Sequence, residues 1–209
     1  MIEIQNIKKA YGNKTVLRDI SYTFHGGKMI GVYGESGCGK STLLNILGML
    51  DQDYEGEVMI NGIATKKLKG KEIDQLVRTQ INYLFQNYAL IDDMTVEENL
   101  MIVLKHHKLS RNEKVLKIKQ VLEEVSILPL MKNKVYTLSG GEQQRVALAR
   151  IMLKEGNIVL ADEPTGNLDV HNRDVVLSVL KKVKQEGMTV ILVSHDHSLL
   201  EECDELINL

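Results

Sequence analysis

The 209-residue chain has no tryptophan, two phenylalanines, two prolines and two cysteines, and each scarcity excludes something. With only two prolines and no low-complexity run, flexible linkers and tandem domains are not expected. Cys38 and Cys203 are too few and too far apart for a disulfide framework or a zinc cluster, which suits a cytosolic chain. No apolar run approaches the ~18 residues that would cross a bilayer. Met1-Ile2-Glu3-Ile4 enters an alternating pattern at once, so no signal peptide is expected. If the chain works at a membrane, another polypeptide must supply the span. A net charge of −2 gives no support to broad electrostatic binding of nucleic acid. The lysines at Lys66, Lys67, Lys69 and Lys71 read as a solvated face.

What is present is ordinary for a globular domain: 44% hydrophobic and 26% charged residues, enough apolar content for one core. Short β-rich runs alternate with longer helical ones. Strands are predicted over 2–7, 28–33, 57–60 (closed by the turn pair Asn61-Gly62), 81–85, 157–161 and 188–193. Helices are predicted from Lys40 to about Leu50, from Ser139 to about Lys154, and over 170–186 before Gly187. Between Thr95 and Glu124, Val96, Leu100, Val103 and Leu104 recur at helical spacing, as do Val115, Ile118, Val121, Leu122 and Val125. Runs such as Met188–Val193 are apolar throughout, as strands buried on both faces are. The expectation is an α/β fold with a mainly parallel core sheet and an inserted helical lobe from about Asn87 to Arg150. The sequence stops soon after the last predicted strand, so no appended regulatory domain is expected.

Gly34-Glu35-Ser36-Gly37-Cys38-Gly39-Lys40-Ser41 fits G-x-x-x-x-G-K-[ST], with an apolar strand before it and a helical run from Thr42 after it. Glycines let such a loop wrap around phosphate oxygens with its N–H groups turned inward, and the helix N-terminus adds partial positive charge. Lys40 would reach the β- and γ-phosphates, and the Ser41 hydroxyl would complete a Mg²⁺ shell. Cys38 lies two residues before Lys40, near a helix start, where thiolate is favoured.

Ile158-Val159-Leu160-Ala161 ends in Asp162 and Glu163, which carries two carboxylates to the C-terminal edge of the sheet, where α/β folds bind ligands. Asp162 would hold the metal, and Glu163 would orient the attacking water as base. An acidic pair after a strand also serves as a helix cap; the phosphate loop upstream favours the catalytic reading. No Asn-Lys-x-Asp guanine-reading motif occurs, since Asn133-Lys134-Val135-Tyr136 ends in the wrong residue, so adenine is favoured.

Leu138-Ser139-Gly140-Gly141-Glu142-Gln143-Gln144-Arg145 is the most specific segment. Ser139 and Glu142 have capping-box spacing, and the two glycines expose N–H groups at a second anion-binding helix terminus. At this point the sequence resembles the ATP-binding subunits of ABC transporters, over nearly the whole chain. The resemblance implies the P-loop ABC ATPase fold, with an N-terminal antiparallel β region, an ATP-binding core over 1–86 and 151–209, and a helical signature subdomain over 87–150. It makes Ser139, Gly140 and Gly141 the element that completes the ATP site of an opposite subunit. Tyr11 sits where an aromatic stacks on adenine. Gln86, after Leu84-Phe85, matches a glutamine that touches metal and water and opens the segment facing a membrane partner. Asn167-Leu168-Asp169 matches a loop that communicates across the dimer, and His195 matches a histidine at the γ-phosphate.

The implied site is therefore catalytic Glu163, His195 and Gln86; nucleotide-binding Tyr11, the stretch Gly34 to Thr42, Ser139 to Gly141 and Asp169; and Ser41, Gln86 and Asp162 for Mg²⁺. The implied cofactors are ATP and Mg²⁺. The implied assembly is an ATP-dependent homodimer bound to a transmembrane permease on the inner face of the cell membrane, without nucleic acid and without inserting into the membrane itself. The run Leu160–Asp169 resembles the branch of lipoprotein-release, macrolide-export and antimicrobial-peptide export or resistance systems, with a cell-division relative that acts on a membrane protein without transport. Export motor and mechanical module both stand on these residues. Soluble DNA-repair or translation relatives would need a coiled-coil insertion or two cassettes, and a simple P-loop kinase would not need Ser139–Arg145.

Overall fold

The structure, a computed structural model, describes residues 1–166 and 168–209. The chain opens with an antiparallel hairpin, β1 (Ile2–Tyr11) and β2 (Lys14–Phe24). After β3 (Met29–Tyr33) and helix α1 (Lys40–Leu47), β4 (Glu55–Ile60) and β5 (Ile63–Ala64) return to the first sheet, in the order β2-β1-β4-β5. Helix α2 (Lys71–Gln80) leads into β6 (Ile81–Leu84). Three helices follow, α3 (Val96–Val103), α4 (Arg111–Glu124) and α5 (Gly140–Leu153). The chain then alternates through β7 (Ile158–Asp162), α6 (Val170–Gln185), β8 (Thr189–Val193), the single-turn α7 (His197–Leu200) and β9 (Glu205–Asn208). Every pairing in the second sheet, ordered β6-β7-β8-β3-β9, is parallel.

The apolar run of β8 is explained by two cores meeting at one sheet. Val190 and Leu192 pack with Val159 and Ala161 of β7 into a core shared with α3 to α6. Ile191 and Val193 point the other way, with Ile158 and Leu160, against α1 and the antiparallel sheet. Period-two alternation thus feeds both faces, and each buried aliphatic contributes about 1.5–3 kcal/mol.

The departures from sequence reading have local causes. The predicted strand 2–7 continues to Tyr11 because bulges absorb the break in alternation: Asn6 and Asp19 have positive φ, and the β1–β2 register shifts three times. Those bulges also hide β2, where Asn6 is tied to Ser21 and Asp19 by hydrogen bonds. Helix α2 has Ile73, Leu76 and Val77 at helical spacing, but only Leu76 is fully buried. The stretch from Thr95 to Glu124 is two helices, each opened by its own capping box, Thr95 with Glu98 and Ser110 with Glu113. The terminal residues are not a tail after the last strand: β9 pairs with β3 at the sheet edge, anchored by Tyr22 and Lys28, which both donate to Glu205. The lysines ending α6 are ion-paired as well as aligned with the dipole, with Lys181 2.6 Å from Glu202, Lys184 2.5 Å from Asp204, and Lys182 bound to Glu124.

Candidate nucleotide site

The loop from Gly34 to Ser41 joins β3 to α1, so the N-terminus of α1 and the loop amides face one concavity. Gly39 has φ 107°, and a Cβ there would stand 2.6 Å from Leu17 Cδ2 and 3.1 Å from the Val16 carbonyl oxygen, so only glycine fits. Lys40 is buried and folds back into its own loop, donating to the carbonyls of Gly34 and Glu35, each at 2.9 Å. Its Nζ also lies 3.9 Å from Cys38 Sγ.

Both acids arrive at the end of β7, which β8 separates from β3 in the sheet. Ser41 Oγ donates to Asp162 Oδ1 at 3.0 Å. Burial raises the Asp162 pKa, against the opposing hydrogen bond from Ser41 and charge of Lys40. A half-buried carboxylate short of compensating charge, beside a hydroxyl oxygen, is a donor set that fits a hard divalent cation. Glu163 follows with φ 46°, a left-handed conformation that costs a non-glycine residue on the order of 1–2 kcal/mol. Its N–H donates to the Val193 carbonyl, and its Oε2 accepts the His195 N–H at 3.3 Å, while Oε1 lies 3.5 Å from His195 Nε2. Strain and tether together fix this carboxylate above the loop. The result is an open cavity of about 220 Å³, lined by Val16, by Ser36, Gly37 and Gly39 to Ser41 of the phosphate loop, and by Thr42, Glu163, Val193 and His195.

Other predicted residues lie outside this lining. Tyr11 and Gln86 are exposed, Tyr11 at the β1–β2 turn and Gln86 just past β6. Ser139 caps α5: its Oγ accepts the Glu142 N–H at 3.4 Å, and Glu142 Oε2 accepts from the Ser139 N–H at 2.7 Å. The Ser139 N–H and hydroxyl, both donating to Glu142 Oε2, hold that carboxyl below its usual pKa. Asp169 caps α6, accepting from the Asn172 backbone and side-chain N–H groups at 2.9 and 2.7 Å. Asn167, named with Asp169 as part of the communicating loop, lies outside the described residues.

Sequence reading missed the side chains that join these pieces. Asn172 accepts from Arg145 Nε and Nη2 at 3.0 and 2.9 Å, and its amide packs where a Cβ on Gly141 would stand, 2.6 Å away, so the signature helix and Asp169 share one bracket. Buried Gln144 donates to the Pro164 carbonyl at 2.9 Å, tying α5 to the residue after Glu163. Arg150 donates to the carbonyls of Ala89 and Tyr88, tying the other end of α5 to the segment after Gln86. In that segment Tyr88 and Leu90 pack on the core, whereas Ile91 and Met94 are exposed. Asn99 bonds both the N–H and the carbonyl of Ile91. Of these, only the Gln144 and Arg145 positions carried a sequence signal, as part of the signature run.

The fold and the phosphate-loop geometry define a P-loop nucleotide-hydrolase cassette, and the comparisons give its family. A family model described as "ABC transporter" matches residues 17–166. The macrolide export ATP-binding/permease protein MacB 2 of Yersinia pestis bv. Antiqua (strain Antiqua) is 36% identical over 213 aligned residues, covering 100% of this chain and 31% of that protein. The MacB of Pasteurella multocida (strain Pm70) is 37% identical, covering 100% of this chain and 33% of that protein. The chain therefore spans about a third of the length of the curated relatives it matches. Among solved structures, the dimeric bacterial ABC transporter cassette MJ0796 is 35% identical, with a TM-score of 0.93 over 100% of this chain and 94% of that one. The dimeric post-hydrolysis state of the same cassette, bound to ADP and Pi, is 33% identical with the same TM-score and coverage. The chain belongs to the ABC transporter family and is an ATPase cassette of it. No described helix is long and apolar enough to cross a membrane.

Proposed function

We propose that the chain is the motor subunit of an ABC exporter: two copies close head to tail on two Mg-ATP molecules and drive a separate membrane permease. The observation that carries this reading is a division of the site. The phosphate loop, Glu163 and His195 line one cavity, whereas the helix terminus at Ser139, Gly140 and Gly141 is absent from its lining. A second anion-binding terminus unused in its own chain suits the nucleotide of a partner copy. The dimeric cassettes that share this fold support the arrangement.

In the proposed site the amides of Gly37 to Thr42, with those of Glu35 and Ser36, cradle the phosphates, and Lys40 exchanges its two loop carbonyls for phosphate oxygens. Tyr11 stacks on the adenine. Ser41, Asp162 and Gln86 would hold Mg²⁺, which when bound neutralises charge on the phosphate oxygens. Glu163 accepts a proton from the attacking water, and His195 holds the carboxylate and faces the terminal phosphate. Residues 1–86 and 151–209 form the ATP-binding core, residues 87–150 a helical subdomain, and Asp169 lies on the dimer face. The permease places the chain at the inner face of the membrane, and the macrolide-export relatives favour a peptide, lipid-like or antimicrobial substrate.

Glu163→Gln tests this. Nucleotide affinity should persist, hydrolysis should fall by roughly 10²–10⁴ as expected for loss of a general base, and a dimer should accumulate with Mg-ATP. Sedimentation showing only monomer at saturating Mg-ATP would overturn the head-to-tail model.

A further inference from the structure

Tyr11 is held more firmly than its place on an exposed turn requires. Its hydroxyl donates to Asp51 Oδ2 at 3.0 Å. The ammonium of Lys9 lies 4.8 Å from the Tyr11 ring centroid. That lysine is a buried cation, its side chain only 4% exposed, bound 2.9 Å from both Asp51 carboxylate oxygens and 3.3 Å from Asp53 Oδ2, and also donating to the Asp53 carbonyl. Burial works against its charge, but the hydrogen bonds and charges of Asp51 and Asp53 outweigh that and raise its pKa. Asp51 lies just past the C-terminal end of α1, the helix that begins in the phosphate loop, and is tied to its last turn: the Asp51 N–H donates to the Asn45 carbonyl at 3.1 Å. One edge and one side of the Tyr11 ring are thus committed, while 52% of the residue remains exposed.

We propose that Lys9 and Asp51 are positioning residues for the nucleotide base, setting the Tyr11 ring in one orientation and fixing it to the frame of the phosphate loop through α1. This rests on Tyr11 being the base platform. A ring already ordered loses less side-chain freedom when a base stacks on it, and a cation beside the ring draws its π-density away from the open face. Val16 of β2, which lines the phosphate cavity, belongs to the same hairpin as Tyr11, whose pairing partner is Lys14. The hairpin therefore joins the cavity to the ring.

The test compares equilibrium binding of ATP with that of inorganic tripolyphosphate, which has no base, on the full chain. Asp51→Ala and Tyr11→Phe should each weaken ATP about three- to tenfold, the size of one or two lost hydrogen-bond contributions, and leave tripolyphosphate unchanged. Lys9→Met should do the same, and Lys9→Arg should restore most of the loss. Adding Asp51→Ala to Tyr11→Ala should cost nothing further, because the pair acts through the ring. Equal losses for ATP and tripolyphosphate, or additive losses in the double variant, would overturn the proposal. Tyr11→Ala without effect on ATP would remove the platform itself. Tyr11→Ala with a large effect beside silent Asp51→Ala and Tyr11→Phe would remove the positioning pair alone. Tyr11→Phe deletes one oxygen from an exposed side chain, so the test does not depend on the buried lysine variant folding.

Discussion

Gln144→Leu should damage both stability and catalysis through a single lost bond. The side chain is 3% exposed and its Nε2 donates to the Pro164 carbonyl at 2.9 Å, next to the strained Glu163. Leucine is close in volume, so the cavity contribution is small, and the principal cost is a buried carbonyl left without a partner, about 1–3 kcal/mol. For a domain of this size that is a fall in melting temperature of roughly 2–12 °C. Because the bond braces the residue after Glu163, kcat should fall more than KM rises. Gln144→Glu should be worse near neutral pH, since it sets a carboxylate against the carbonyl oxygen. The clash raises the folded-state pKa of the new acid above its unfolded value of about 4.3, so its destabilisation appears as pH rises and fades in acid. Urea denaturation at two pH values and steady-state ATPase assays measure both effects. Gln144→Leu with unchanged unfolding free energy and unchanged kcat would refute the claim that this bond holds the catalytic loop.

Three further outcomes follow from the same geometry. A maleimide should label half-buried Cys38 at the phosphate loop and be excluded by bound Mg-ATP, whereas Cys203, whose thiol burial pushes up to about 12, should stay unmodified near pH 8; mass mapping that finds Cys38 equally labelled with and without nucleotide would contradict this. Burial and the charge of Arg150 lower Lys154 to about 8, so between that value and its unfolded 10.5 the unfolded chain binds more protons and the group's contribution to stability rises with pH; wild type minus Lys154→Met should show the rise in denaturation midpoints, and a flat difference would contradict it. Ile91→Asp, on an exposed side chain, should impair partner-stimulated hydrolysis more than basal hydrolysis, whereas Leu90→Asp, packed on the core, should lower both with stability; equal behaviour of the two would mean that no docking face is present.

The parallel sheet was legible because its strands obey two simple rules at once. β3, β7 and β8 are short apolar runs, and each of β3 and β7 ends in residues whose chemistry needs a strand's C-terminal edge. The capping-box spacing of Ser139 and Glu142 likewise announced its own helix, because that cap is a local exchange of hydrogen bonds. What stayed hidden was whatever depends on chain segments far apart in sequence. The bulged pair β1 and β2 carries no clean alternation, since the extra residues at Asn6 and Asp19 are accommodated by cross-strand bonds that no window of sequence contains. The edge strand β9 reads as a polar tail until Tyr22 and Lys28 meet Glu205 across more than 170 positions. Asn172 and Arg150 are unremarkable polar residues in sequence, and their roles exist only once α5 lies between α6 and the segment after Gln86.

That position of α5 bears on how the site is built. A helix of 14 residues is about 21 Å long, and this one is fastened to three separate segments. In its first two turns Gly141 and Arg145 meet Asn172 and Gln144 holds Pro164, and near its end Arg150 holds the carbonyls of Tyr88 and Ala89. Each fastening is a side chain meeting backbone or a single amide, with the glycine admitting the closest approach. The three places joined are the helix terminus proposed to face a partner copy, the loop after Glu163, and the loop after Gln86. A rigid rod linking them lets none of the three move far without the others, because Val146, Ala147, Leu148, Ala149 and Ile151 of α5 are buried in the core shared by the parallel sheet and the other helices. The polar side chains of one short helix therefore do the joining, and its buried apolar side chains supply the stiffness that makes the joining effective.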